Sequence, residues 1–347
     1  MNPPAAEVLL EVRNLRTQFK LRQGVVRSVD GVDLTIYRGQ TLGVVGESGC
    51  GKSVTAQSIL RIVPHPGEVV GGQILLHGKA GGAPVDLATL PAKGQRIREV
   101  RGGEIGMIFQ EPMASLSPVH TVGNQVIEMA LLHREGGQDE AREAVLDMLS
   151  RVGFSEPERT FDSYPHELSG GMRQRAVIAM ALVGRPSLLI ADEPTTALDV
   201  TTEAQILRLL KRLQADLGMA IMFITHDLGV IAKMADHAAV MYLGKVVEHS
   251  DVDALFHDAR HPYLRALLSS VPRFGGSVQQ RLASIEGIVP DPFRLPGGCP
   301  FHPRCPESIA GRCEVEVPVY RTLPEAADRG VSCHLHAPLG EPVAAQR

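Results

Sequence analysis

Apolar residues along the chain recur in two rhythms. Residues 42–45, 106–109, 187–191 and 220–224 form short, nearly unbroken apolar runs, each followed by polar or glycine-rich chemistry. Runs of this length and continuity predict strands buried on both faces of a parallel sheet. Residues 139–153 and 202–217 follow the helical period instead. Ala141, Val145, Met148, Leu149 and Val152 fall on one face of the first, and Gly153 suits its C-terminal cap. Ile206, Leu209, Leu210, Leu213 and Leu217 line the second, which Gly218 ends. Shorter helices are predicted over 54–60, 126–132 and 172–182, with Ser169 as N-cap material before the last. Ahead of residue 45, short strands are predicted over 8–12, 25–29 and 32–36, with Arg38 and Gly39 turning into the next strand. The Gly/Pro-rich stretch 64–93 holds one further strand, 73–76. Strands alternating with helices indicate an α/β fold, interrupted by a helical insert over 111–167.

Between the run ending at Val45 and the helix beginning at Val54 lies Gly46, Glu47, Ser48, Gly49, Cys50, Gly51, Lys52, Ser53. This G-x-x-x-x-G-K-S pattern in a strand–loop–helix setting is a phosphate-binding P-loop. Its glycines let backbone N–H groups turn inward around phosphate oxygens, and the helix N-terminus adds partial positive charge. Lys52 is placed to reach the β- and γ-phosphates, and the Ser53 hydroxyl to ligate Mg2+. The Cys50 side chain is expected to point away from phosphate. The run 187–191 ends in Asp192 and Glu193, adjacent carboxylates whose burial is unfavourable unless they serve an ion or a reaction. Asp192 suits a Mg2+-positioning role and Glu193 a general base for water. His226 follows the run 220–224, and Gln110 follows 106–109. Either could face the phosphates or be an ordinary polar strand end. Ser169, Gly170 and Gly171 open a helix as a second anion-binding end, or cap a structural one. Phe19, in a polar stretch, could stack on a purine or simply pack.

These motifs in this order resemble the ATP-binding cassette (ABC) ATPases over roughly residues 8–250. The resemblance implies a P-loop NTPase cassette: a RecA-like mixed sheet, an antiparallel β subdomain and an inserted α-helical subdomain. It implies that Phe19 stacks on adenine and that residues 46–53 with Val54 cradle the phosphates of ATP. It further implies that Gln110 touches Mg2+ or water, and that Ala197, Leu198 and Asp199 form the D-loop. His226 would hold the γ-phosphate. Ser169, Gly170 and Gly171, with Leu168 and Met172, match the signature that contacts ATP held by an opposite subunit. Two cassettes would close head-to-tail over two ATP molecules.

The last hundred residues add a different chemistry. Cys299, Cys305, Cys313 and Cys333 are spaced C-x5-C-x7-C-x19-C in a Pro/Gly-rich tail, where a metal site could order a segment poor in apolar residues. Thiolates suit both zinc and iron–sulfur, and His302, His334 or His336 could replace a cysteine at zinc. Arg260, His261, Pro262 and Tyr263 open a helix, with Pro262 tolerated in its first turn. This tail resembles the C-terminal extension of the D-type ATP-binding subunits of dipeptide/oligopeptide permeases. That resemblance favours a 4Fe–4S cluster over Zn2+ and a division into a cassette, 1–255, and an extension, 256–347. It implies a bacterial importer of di- or oligopeptides, peripheral on the cytoplasmic face of the plasma membrane. Its partners would be a second, related ATPase subunit or a copy of the chain itself, two transmembrane permease subunits and an extracytoplasmic substrate-binding protein. Nickel, glutathione and other small solutes are served by the same subfamily.

Composition narrows the alternatives. With 35 Lys+Arg against 39 Asp+Glu, the net charge of -4 argues against a nucleic-acid binder. The N-terminus lacks a basic start and a long apolar core, so no signal peptide is expected, and no apolar run is long enough to span a membrane. A soluble ABC ATPase of DNA repair or translation would need coiled-coil inserts or a second cassette, and neither is read in the sequence. A redox- or metal-sensing role for the cysteine tail is compatible with transport.

Overall fold

The computed structural model describes residues 7–336 apart from 79–81, 112–114, 197, 271–284 and 325. The chain begins with β1 (Val8–Leu21), β2 (Gly24–Tyr37) and β3 (Thr41–Val45), then the loop and α1 (Lys52–Ile59). β4 (Gly67–Leu76), the short β5 (Val85–Asp86), α2 (Gln95–Glu99) and β6 (Ile105–Ile108) follow. The helical stretch holds α3 (Val122–His133), α4 (Gln138–Arg151), α5 (Pro157–Asp162) and α6 (Gly170–Leu182). Then come β7 (Leu188–Asp192), α7 (Val200–Leu217), β8 (Ala220–Thr225), α8 (Leu228–Met234), β9 (His237–Tyr242) and β10 (Lys245–Asp251). The chain closes with α9 (Val252–His257), α10 (Pro262–Ser269), β11 (Arg321–Leu323) and β12 (Ala326–Val331).

Among the described residues the strands form two sheets, one ordered β2-β1-β4-β5 and the other β11-β12-β10-β9-β3-β8-β7-β6. The first is antiparallel throughout. In the second, β9, β3, β8, β7 and β6 run parallel, so their carboxyl ends share one edge. Their near-continuous apolar sequences follow from burial on both faces. Along β8, Ile221 and Phe223 join the core under the helices, whereas Ala220, Met222 and Ile224 join the core under the antiparallel sheet. This is the period-two alternation of a strand sandwiched between two layers.

The amphipathic reading of α4 and α7 matches burial: Ala141, Val145, Met148, Leu149 and Val152 are buried, as are Ile206, Leu209, Leu210 and Leu213. Three strand expectations need correction. The predicted strands 25–29 and 32–36 are one strand, β2, and the predicted strand 8–12 continues to Leu21. The two pair as a long ribbon whose register shifts several times, near Asn14 and Gly31, both of positive φ. Such bulges break the alternation that would have marked a single strand. The tail, expected to be loop-rich, supplies the hairpin β11–β12, which extends the central sheet through Glu248↔Val331 and His249↔Gly330.

Candidate functional site

The carboxyl ends of β3, β7 and β8 deliver the loop, the acidic pair and His226 to one edge. Gly51 caps α1 at φ 99°, in the left-handed region, and a Cβ there would collide with the Ser28 carbonyl. Only glycine fits that position. Lys52 is buried, and its Nζ donates to the Gly46 carbonyl at 2.7 Å and the Glu47 carbonyl at 3.1 Å. The ammonium thus sits inside the loop it closes. Cys50 is buried in the core beneath, where burial pushes its thiol up.

Ser53 Oγ donates to Asp192 Oδ1 at 3.0 Å. Asp192 is buried at the end of β7, and its carboxyl is raised, first by burial, although the Ser53 hydrogen bond pulls the other way. Glu193, one residue on, has φ 48°, a conformation side chains rarely adopt. Its backbone N–H donates to the Ile224 carbonyl at 2.9 Å, which ties it to β8. Its carboxylate lies 3.2 Å from His226 Nδ1 and accepts from Thr196 Oγ1 at 3.0 Å. Burial pushes that carboxyl up, but the bonds to His226 and Thr196 and the charges of His226 and Lys52 outweigh it, leaving it below the ordinary carboxylate range. Thr196 was not singled out from sequence, since a threonine after a proline reads as a turn residue.

A cavity of about 390 Å3 is lined by Phe19, Ser48, Gly49, Cys50, Gly51, Lys52, Ser53, Val54, Gln110 and Glu193, among others. Phe19 lies in β1, opposite Val26 and Gly67, where its ring edge covers Gly67. Gln110 is exposed.

The signature residues stand elsewhere. Ser169 caps α6, accepting from the Met172 N–H at 3.3 Å. Ser169, Gly170, Gly171, Leu198 and Asp199 line a second cavity, which shares no lining residue with the first. Asp199 caps α7 by accepting from the N–H groups of Thr201 and Thr202, each at 3.0 Å. Ala197 lies outside the described residues. Gln174 Nε2 donates to the Pro194 carbonyl at 2.6 Å, so the signature helix is joined to the loop carrying Glu193. Sequence alone carried no signal for that link.

In the tail, Cys299, Cys305, Cys313 and Cys333 all line one small enclosed space and all are free thiols. Among the described residues, however, no three His, Cys, Asp or Glu side chains are grouped closely enough to hold a metal ion. The expected four-cysteine metal site is therefore not formed at ligating distance. Burial raises the Cys299 and Cys333 thiols, each to about 11, and a neutral thiol has no strong attraction to its neighbours. Backbone N–H groups nevertheless pull toward the thiolate: Phe301 and His302 at Cys299, Glu307 at Cys305 and Leu335 at Cys333. The Ile309 N–H donates to Cys313 Sγ at 3.3 Å. His334 Nε2 and His336 Nε2 instead face the carbonyls of Glu316 and Arg260.

A glycine loop at the carboxyl edge of a parallel sheet, closed by a lysine and faced by an Asp–Glu pair, defines a P-loop NTPase. The "ABC transporter" family profile matches residues 29–196, and "Oligopeptide/dipeptide transporter, C-terminal region" matches residues 247–313. The chain is 50% identical over 317 residues to "Probable peptide ABC transporter ATP-binding protein y4tR" of Sinorhizobium fredii, covering 91% of this chain and 92% of that protein. It is 45% identical over 335 residues to "Oligopeptide transport ATP-binding protein OppD" of Bacillus subtilis, covering 96% and 91%. Among solved structures, the dimeric ATP-binding cassette MJ0796 bound to ADP and Pi superposes with TM-score 0.61 at 26% identity, over 70% of this chain and 99% of that one. The chain belongs to the ABC transporter ATP-binding subunits, in the branch that carries the oligopeptide/dipeptide transporter C-terminal region. Subunits of this family are ATPases, and this chain is one. Among the described residues, no helix is long and apolar enough to cross a membrane.

Proposed function

We propose that this chain is the ATP-hydrolysing subunit of a bacterial importer of di- or oligopeptides, acting on the cytoplasmic face of the plasma membrane. The observation that carries it is the joint presence of a complete nucleotide motif set and the oligopeptide/dipeptide C-terminal region on one chain. The names of its relatives OppD and DppD of Bacillus subtilis point to the same solute class. Residues 1–255 form the cassette, with 111–167 as the helical part that docks on the membrane subunits, and 256–347 the extension. The partners are two membrane-spanning permease subunits, an extracytoplasmic binding protein and a second ATPase subunit, either a related chain or another copy of this one.

The geometry supports a second ATPase subunit. Lys52, Ser53 and Glu193 line one cavity and Ser169, Gly171 and Asp199 another, an arrangement in keeping with a site that draws one set from each of two chains. In that site Phe19 stacks on adenine, and the N–H groups of residues 46–54 face the phosphates. Lys52 exchanges the Gly46 and Glu47 carbonyls for phosphate oxygens. Ser53, Asp192 and Gln110 are the groups available to Mg2+, which when bound neutralises charge on the phosphate oxygens. Glu193 takes a proton from the attacking water. The water oxygen bonds to the γ-phosphorus, the bond to the bridging oxygen breaks, and ADP leaves with that electron pair. His226 orients Glu193 and contacts the γ-phosphate. Binding closes the pair and hydrolysis releases it, a population shift between two states.

The four cysteines share one space without standing at ligating distance, so a 4Fe–4S cluster in this reading would require them to draw together around it. Four thiols around one space, each approached by a backbone N–H, are a donor set suited to thiolate ligation.

The function is tested in proteoliposomes holding the chain with its permease subunits, second ATPase subunit and binding protein. Vesicles should hydrolyse ATP faster, and accumulate label, with di- to pentapeptides. Stimulation by nickel or glutathione but not by peptides would reassign the solute. Absence of ATP hydrolysis under every condition would overturn the whole reading.

A further inference from the structure

The P-loop is gripped from outside the cassette. The Glu47 carboxylate accepts from Arg304 twice, from Nη1 to Oε2 at 2.8 Å and from Nη2 to Oε1 at 3.1 Å. The Glu47 backbone N–H donates to Tyr263 Oη at 2.9 Å. One loop residue is thus held at both side chain and backbone by two residues of the extension. The grip is well founded. The Arg304 side chain is 4% exposed, and Tyr263 is fully buried. Arg304 also donates to the Glu286 carbonyl at 3.2 Å. Tyr242, Tyr263 and Phe301 pack ring to ring with centroids 4.7 to 5.3 Å apart. Tyr242 ends β9, the parallel neighbour of the strand that feeds the loop.

The Glu47 carbonyl is also one of the two that accept from Lys52 Nζ. Rotation of the backbone at Glu47 would move both that carbonyl and the N–H groups that follow. The two-pronged pair restricts that rotation with planar, charge-assisted geometry. It also neutralises a carboxylate in the loop that must receive a highly charged anion.

We propose that Arg304 and Tyr263 are positioning residues for nucleotide binding, which hold Glu47 so that the P-loop is set for the triphosphate before ATP arrives. The proposal rests on the ATP reading of the loop. Preorganisation of this kind lowers the free energy spent on ordering when the ligand binds, so it appears in affinity and not in the chemical step.

The test is steady-state hydrolysis with MgATP varied, together with equilibrium titration by a fluorescent ATP analogue, on the full chain. Arg304→Ala, which leaves Glu47 charged and unpaired, should raise KM for ATP and weaken analogue binding about tenfold, with kcat within about twofold of wild type. Arg304→Lys should recover part of the loss, because a point charge replaces the fork. Combining Arg304→Ala with Glu47→Gln should be no worse than Arg304→Ala alone, since both remove the same pair. An unchanged KM in Arg304→Ala, or losses that multiply in the double variant, would overturn the proposal. Should Arg304→Ala fail to fold, Glu47→Gln leaves the extension intact and decides alone: wild-type affinity would overturn it. Wild-type protein that binds no nucleotide would instead bring down the ATP reading, and the proposal with it.

Discussion

His226 Nδ1 and Glu193 Oε1 stand 3.2 Å apart at the ends of two neighbouring strands, β8 and β7. Glu193 reaches that position through a left-handed backbone, tied to Ile224 and bonded by Thr196. Its carboxyl is held below the ordinary range, so it is ionised at neutral pH and able to accept a proton. Replacing Glu193 by Gln keeps the shape and removes the base. Hydrolysis should fall on the order of 100- to 10,000-fold while ATP still binds. Phosphate release and size-exclusion chromatography with ATP would check this: the variant should accumulate as an ATP-bound pair. Full phosphate release from the variant would contradict the assignment of the base.

Asp192 yields a prediction of opposite sign for stability and activity. Burial raises its carboxyl in the folded protein. A folded-state value above the unfolded one favours the protonated form, so the resulting stability is complete below the unfolded pKa and is lost as pH rises through the folded one. Ionising Asp192 in the nucleotide-free protein therefore costs stability. Asp192→Asn should raise the Tm of nucleotide-free protein by about 2 °C at pH 8 and leave it nearly unchanged near pH 4. The same variant should lose Mg2+-dependent hydrolysis by about 100-fold or more. Thermal melts at the two pH values read the first effect and phosphate release the second. A destabilised variant at pH 8 would show that the Ser53 bond outweighs burial.

What the sequence disclosed and what it hid divide along physical lines. Asp192, Glu193 and His226 were legible because each ends an apolar run, where a charged group is conspicuous. The faces of α4 and α7 were legible because a helix buried on one side repeats its apolar residues every third or fourth position. The second half of β1 was not, because it pairs in a ribbon with polar residues outward and its register shifts at Asn14. The Arg304–Glu47 pair was hidden for another reason. Its partners are 257 positions apart, and no local period reports on such a contact. Gln174 gave no signal because its partner, Pro194, lies in a different element, and Thr196 gave none because it reads as an ordinary turn residue beside the acidic pair.

The separation of the two cavities makes complementation a direct test of pairing. Ser169 is exposed at the start of α6, in a cavity distinct from the one lined by Lys52. Ser169→Arg should spoil the signature surface and leave the P-loop intact, while Lys52→Ala should do the reverse. Each alone should be nearly inactive. Mixed in equal amounts, they should recover on the order of a quarter of wild-type hydrolysis, because mixed pairs regain one composite site. ATP titration of Ser169→Arg should remain close to wild type. No recovery on mixing, with each variant folded and still able to pair with itself, would place the complete site within one chain or within a pair with a different partner.

The cysteine tail gives the last prediction. Cys299, Cys305, Cys313 and Cys333 face one space, whereas Cys50 is buried beneath the P-loop in a different core. With a cluster in that space, protein purified without oxygen should contain about four iron and four acid-labile sulfide per chain. Cys299→Ser and Cys333→Ser should each lose most of both, and Cys50→Ser should lose neither. Iron and sulfide analysis reads this outcome independently of ATPase activity, so a damaged P-loop in Cys50→Ser does not confuse it. One zinc without sulfide would assign the same thiolates to a tetrahedral structural ion. Absence of any metal in wild-type protein would leave the four thiols as packing groups, in keeping with the burial that pushes the Cys299 and Cys333 thiols up.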